Sequence, residues 1–230
     1  MKTTTTIAAL AALLALSLCS DAALAQDSNI FRVGLYSVMY HVHAQDVSGP
    51  FTQPGLNAEV NNVDTIYLAY LRRVTSNVEV ELTAGVPPST DLVGKGPNTV
   101  GSVPYNGQVL GRVKWFSPTL LVHYVFLDES NRWRPYAGIG VNFTHFFDRE
   151  TSANGNAVLG GPTYITQTNS IGPAASLGMS YKPTDHWQVI ASYNWARVKS
   201  DLDLNTEGVV RRSTVDFRPT AIVFAMGYTF

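Results

Sequence analysis

Apolar and small or polar residues alternate along most of the chain. Near the end, Ile222, Phe224, Met226, Tyr228 and Phe230 alternate with Val223, Ala225, Gly227 and Thr229. Val78, Val80, Leu82, Ala84 and Val86 likewise stand opposite Glu79, Glu81, Thr83 and Gly85. Trp187 to Ala196, Ala174 to Tyr181 and Ala137 to Thr144 repeat the pattern. A period of two marks strands whose faces meet different environments. It predicts eight strands, over 30–43, 63–74, 78–87, 113–127, 134–147, 170–182, 187–200 and 213–230. The connections at 75–77, 128–133 and 183–186 are short. Those at 44–62, 88–112, 148–169 and 201–212 are longer, rich in Gly, Asn, Pro or Ser, and read as loops. Short turns at one rim and long loops at the other are the plan of an outer-membrane barrel.

A soluble sandwich would alternate too, with its apolar face inward. Here the apolar face carries aromatics at strand ends (Phe143, Tyr181, Trp187, Tyr228 and Phe230). These suit interfacial girdles. The opposite face is mostly Gly, Ser and Ala, which suits the tight interior of an eight-stranded barrel. The expected fold is therefore all-β: an eight-stranded antiparallel transmembrane β-barrel with short periplasmic turns and longer extracellular loops. Composition agrees. Only 14% of the 230 residues are charged, and the net charge is −1. The first value is low for a soluble domain, and the second excludes nucleic-acid binding through a strong basic field. One Cys excludes a disulfide framework. Residues 1–25 read as a signal peptide, with Lys2, an apolar stretch from Ile7 to Leu18, and cleavage after Ala23-Leu24-Ala25. That leaves 26–230 as the barrel.

Three segments resemble the OmpW family of outer-membrane barrels, which includes AlkL-like members. They are Arg134-Pro135-Tyr136-Ala137-Gly138-Ile139-Gly140-Val141-Asn142-Phe143-Thr144-His145-Phe146-Phe147-Asp148, Trp115-Phe116-Ser117-Pro118-Thr119-Leu120, and the end from Val215-Asp216 through Pro219 to Ala225-Met226-Gly227-Tyr228-Thr229-Phe230. The resemblance implies a narrow barrel associated with passage of small hydrophobic molecules, which enter from outside and leave sideways through the wall. Implied partners are those solutes, outer-membrane lipid and the assembly machinery. A monomer without cofactor or enzymatic activity is expected.

Particular residues follow from the alternation. Tyr36, Val38, Tyr40, Tyr67, Leu121 and Ile190 take nominally inward positions and are candidate lumen lining. Glu79 and Glu81 share the inward face, with Arg32 and Arg134 as candidate partners near the same rim. Buried carboxylates need such partners. Pro118, Pro173 and Pro219 each remove a ladder donor near the loop side and are candidates for a lateral opening. Tyr228 and Phe230 form a candidate assembly signal. His41 and His43 share a face but lack the companions a metal site needs. His123 and His145 read as lumen or girdle polar groups. The alternatives to a conduit are a lipid-modifying enzyme resembling lipid A deacylase and a structural or adhesive barrel. An apolar inward patch favours the conduit, whereas a hydrogen-bonded Ser and His at the lipid interface favours the enzyme.

Overall fold

The computed structural model describes residues 29–230. The expected signal peptide and its cleavage after Ala25 lie outside the described residues. In chain order the strands are β1 (Asn29–Met39), β2 (His43–Ala44), β3 (Asn57–Val60), β4 (Val63–Arg73), β5 (Val78–Gly85), β6 (Ser89–Lys95), β7 (Thr99–Val100), β8 (Val103–Pro104) and β9 (Val109–Phe116). There follow β10 (Thr119–Val125), β11 (Trp133–Thr151), helix α1 (Ala153–Leu159), β12 (Thr163–Gln167), β13 (Ser170–Tyr181), β14 (Trp187–Ala196), β15 (Lys199–Thr206), β16 (Val209–Asp216) and β17 (Thr220–Thr229).

Eight of these close a ring, in the order β1, β4, β5, β10, β11, β13, β14, β17 and back to β1. All the pairings are antiparallel. Turns at 74–77, 126–132 and 182–186 join β4 to β5, β10 to β11 and β13 to β14 at one rim. The alternation sets which side chain faces where. Leu35, Ile139, Ile171, Leu177 and Phe224 are each more than 60% exposed, while Val223 is fully buried. Large apolar side chains presented outward in this number suit hydrocarbon, not water. Inward positions are small where rings from neighbouring strands fold over them. A Cβ on Gly138 would lie 2.1 Å from the His123 ring, and one on Gly178 would lie 2.3 Å from the Tyr136 ring.

Beyond the other rim the structure departs from the sequence expectation. The segments read as loops build two further sheets and a helix. β11 runs 19 residues and continues past the barrel to pair with β9, which pairs with β6 and then β3. A second sheet has the order β12, β15, β16, β2. Here the sense of the alternation reverses. Val113 and Trp115 are buried between exposed Arg112 and Lys114, and Leu202 and Leu204 lie inward beside exposed Asp201. Exposed ion pairs cross these sheets, as in Arg112–Asp91, Lys114–Asp148 and Arg212–Asp203. Apolar in and charged out is the pattern of a water-facing sheet. The sheets were hidden because Gly and Pro break the period at turns such as Pro87-Pro88 and Gly94-Lys95-Gly96.

The facing assignment yields a test. Leu177→Arg should place a charge in lipid and lower the unfolding free energy by roughly 2–4 kcal/mol near the midplane. Ser176→Arg, on the inward face, should leave bilayer contact intact and narrow the lumen. Urea unfolding in phospholipid vesicles separates the two.

Candidate functional site

The interior is built in layers. At the turn rim, Ile30, Leu71 and Val125 are at most 1% exposed and fill the base. Above them lies a charged layer. Arg32 of β1 is ion-paired and hydrogen-bonded to Glu81 of β5. The Tyr67 hydroxyl donates to the other oxygen of Glu81 at 2.5 Å. Glu79 lies 3.8 Å from Arg134 and 3.6 Å from Arg73, which also reaches Glu129 at 3.5 Å. Arg134 further donates to Ser76 O at 2.5 Å and to Leu127 O at 3.2 Å. It thus ties two rim turns to the charged layer. The structure joins all four residues of the sequence-derived cluster and adds Arg73 and Tyr67. Sequence could not assign Arg73 its role, because it lies at the end of β4, where register decides its partners.

His123 is the register partner of Glu79. Its ring lies 4.7 Å from the ring of Tyr136, and neither nitrogen has a hydrogen-bond partner among the described residues. His145 instead sits at the upper rim, bonded to Asn169 at 2.8 Å and stacked on Phe147. His41 and His43 are both exposed. Among the described residues, no group of three or more His, Cys, Asp or Glu is placed to hold a metal.

Over the charged layer Tyr67, Ala69, Ile190, Val223 and Ala225 form an apolar shelf. A cavity opens above it. Tyr36, Val38, Tyr40, Tyr67 and Leu121 line this cavity, whereas Ile190 belongs to the shelf beneath. The upper wall is Val60, Val113, Trp115, Phe146, Val198 and Phe217, with Tyr40 edge-on to Trp115 and Phe217. Sequence reading missed this layer, although the alternation of Val113 and Trp115 with Arg112 and Lys114 carried its signal. Trp115 Nε1 is buried without a hydrogen-bond partner among the described residues, whereas the polar cluster about Asn142 satisfies itself. Asn142 donates to Ser117 Oγ at 2.9 Å and Thr119 Oγ1 at 2.7 Å, and accepts from Thr144 Oγ1 at 2.8 Å. Side chains bonded to one another in this way have few hydrogen bonds left to offer.

A second cavity lies between the two outer sheets. Its lining includes Leu56, Leu110, Val158, Ile165, Leu202 and Leu204. Leu92, the register partner of Val60, lines it and packs against the upper-lumen cluster. The two cavities are therefore stacked. α1 covers the second one. Ser152 caps it by accepting from Gly155 N at 2.9 Å and donates to Val109 O at 2.6 Å, and Asn154 donates to Pro104 O at 2.9 Å. Gly160 closes the other end with a left-handed φ of 89°. The Tyr105 hydroxyl donates to Asn57 O at 2.5 Å. Burial, with Asp46 nearby, pushes its pKa up to about 12.

The three prolines do not meet at one point. Pro118 precedes β10, Pro173 pairs with Val141 within β13, and Pro219 precedes β17 and lines the cavity. Their carbonyls still accept from Phe143 N at 2.9 Å, Arg197 N at 3.0 Å and Ala196 N at 3.2 Å. The cavity also touches Ala175 and Trp195, the pair next to the upper end of the β13–β14 ladder. Their side chains lie on the outer face. At the other rim, Tyr228 packs edge-on to Trp187, and Phe230 is 55% exposed on the outer face.

A closed eight-stranded barrel with a lipid-facing exterior, a plugged base and an apolar upper lumen is an outer-membrane β-barrel. The chain belongs to the OmpW family, whose sequence model matches residues 26–230. It is 31% identical over 225 residues to outer membrane protein W of Vibrio cholerae, covering 98% of this chain and 99% of that one. It is 24% identical over 180 residues to outer membrane protein AlkL of Ectopseudomonas oleovorans, covering 77% and 70% of the two chains. The crystal structure of the outer membrane protein OprG from Pseudomonas aeruginosa matches with a TM-score of 0.79 at 25% identity, covering 89% of this chain and 96% of that one. The protein is thus a Gram-negative outer-membrane protein, of a family that is generally non-enzymatic.

The charged layer predicts a double-mutant signature. Arg32→Met alone strands Glu81 and should cost roughly 3–5 kcal/mol, as for a broken buried pair. Arg32→Met with Glu81→Leu should recover most of that loss. Unfolding in lipid vesicles measures both.

Proposed function

We propose that this barrel conducts small hydrophobic molecules across the outer membrane by lateral exit through its wall. The observation that carries this reading is an apolar cavity standing on a closed, charged base. A guest is received by apolar surface and meets Arg32, Glu81, Ile30 and Leu71 on the straight path down. Each buried CH₂ favours leaving water by about 0.8 kcal/mol, so an apolar guest gains by passing sideways into lipid. A polar guest gains nothing and would have to displace the self-satisfied Asn142 network. The outer cavity under α1 is the first station on the route, and the lumen cavity is the second. Contact of the cavity with Ala175 and Trp195, beside Pro173, supports an exit where the β13–β14 ladder ends. Tyr228 and Phe230 serve as the assembly signal on the last strand.

Uptake into liposomes of a hydrophobic fluorescent probe, beside a polar solute of similar size, tests the reading. Ala221→Trp fills the cavity from an inward, buried position and should reduce hydrophobic uptake, at a folding cost of about 1–3 kcal/mol. Replacing Pro173 and Pro219 by Val restores ladder donors near the exit and should also reduce it with folding intact. Unchanged uptake in both variants, with polar solute passing equally well, would identify an ordinary aqueous pore instead.

A further inference from the structure

The exterior wall changes character within one step of the alternation at the upper end of β14. Tyr193 and Trp195 point outward, and the next outward residues are Arg197 and Lys199. On β17 the outward stripe of Ile222 and Phe224 is preceded by Arg218. These cations surround one carboxylate. Asp216 Oδ2 lies 3.8 Å from Arg197 and 3.0 Å from Arg218, and Asp216 is the register partner of both Lys199 and the exposed His43. Arg218 adopts φ +38°, an uncommon conformation for a residue with a side chain. The strained backbone places its guanidinium beside Asp216.

The arrangement is unlike the other exposed ion pairs of the outer sheets. Arg112–Asp91, Lys114–Asp148, Arg212–Asp203 and Lys95–Glu59 are each one cation to one carboxylate. At Asp216, two arginines share a single carboxylate, and Lys199 stands beside it as its register partner. The adjacent acid, Asp201, accepts from Thr214 Oγ1 at 2.7 Å. Three cations against the two carboxylates of Asp216 and Asp201 leave the patch a net charge of +1, with the Arg197 and Arg218 side chains 55% and 47% exposed. Directly beneath it lie Tyr193, Trp195, Ile222 and Phe224, each more than a third exposed. Cations immediately over a lipid-facing aromatic surface match a ligand with an anionic head and apolar tails.

We infer that Arg197, Lys199 and Arg218 bind the phosphate group of a phosphorylated lipid of the outer leaflet, whose acyl chains lie along Tyr193, Trp195, Ile222 and Phe224. Arginine suits this role because its planar fork meets phosphate oxygens two at a time. Asp216 holds the two guanidinium groups in place when lipid is absent. Bound lipid would then cover the wall beside the upper end of the β13–β14 ladder.

The test is native mass spectrometry and lipid-binding titration of the full barrel in detergent. Its probes are bis-phosphorylated lipid A, the same lipid dephosphorylated, and inorganic phosphate. The triple variant Arg197→Gln, Lys199→Gln, Arg218→Gln should bind lipid A at least about tenfold more weakly than wild type. A second variant adds Asp216→Asn, so that no carboxylate is stranded, and should show the same loss. Arg212→Gln, an exposed cation outside the patch, should bind like wild type. Dephosphorylated lipid should bind wild type as weakly as lipid A binds the variants, and inorganic phosphate should not compete. Equal binding of lipid A by wild type and both cluster variants overturns the inference. So does competition by inorganic phosphate at lipid-like concentration, which would mark a free-anion site.

Discussion

Hydrocarbon offers no hydrogen bonds, so every backbone group crossing it must be paired within the protein. That constraint closes β17 back onto β1 and leaves the ring without an edge. Closure with eight strands makes the lumen so narrow that side chains compete for it. Gly138 and Gly178 are consequences, because the rings of His123 and Tyr136 occupy the space a Cβ would need. So is the sorting of large residues to the outside, where lipid has room for Leu35, Ile139 and Phe224.

The same narrowness determines how the base is sealed. Charges buried in a lumen this tight need partners, which register supplies for Arg73 and Glu79 and which the other two pairs reach past an intervening strand. Arg32 meets Glu81 across the lumen, while Arg134 and Arg73 converge on Glu79. Arg134 couples the seal to two turns, so the plug and the lower rim form one unit. Above it, the inward-facing Asn142, Ser117, Thr119 and Thr144 satisfy one another. A plugged base thus lies beneath a largely apolar cavity, which is the arrangement on which the proposed lateral route rests.

The reversal of alternation at the upper rim marks where the solvent changes. Below it, apolar residues face out into lipid. Above it, Val113, Trp115, Leu202 and Leu204 turn inward, and ion pairs face water. The apolar interior thus continues outward past the membrane, enclosed by two sheets and α1. The boundary is also where Arg197, Lys199 and Arg218 gather over Trp195, so one change of environment accounts for both the extended interior and the exterior cationic patch.

Strand identity, inward and outward faces, and the pairing of Glu79 and Glu81 with arginine were legible in sequence. Each depends on a period of two that the chain carries locally. Tyr36, Val38, Tyr40, Tyr67 and Leu121 followed from the same rule, and so did the aromatic girdle. The outer sheets were not legible, because their strands are short, broken by Gly and Pro, and paired with partners far along the chain. Arg73, the upper layer of Trp115, Phe146 and Phe217, and the gathering of cations about Asp216 depend on register between β4 and β5, β9 and β11, and β15 and β16. Alternation says which face a residue takes; only strand pairing says which residue it meets there. The sequence by itself determined a barrel with a lipid-facing and a lumen-facing side. The tertiary structure decided where its lumen closes, how far its apolar interior extends, and which charges stand together.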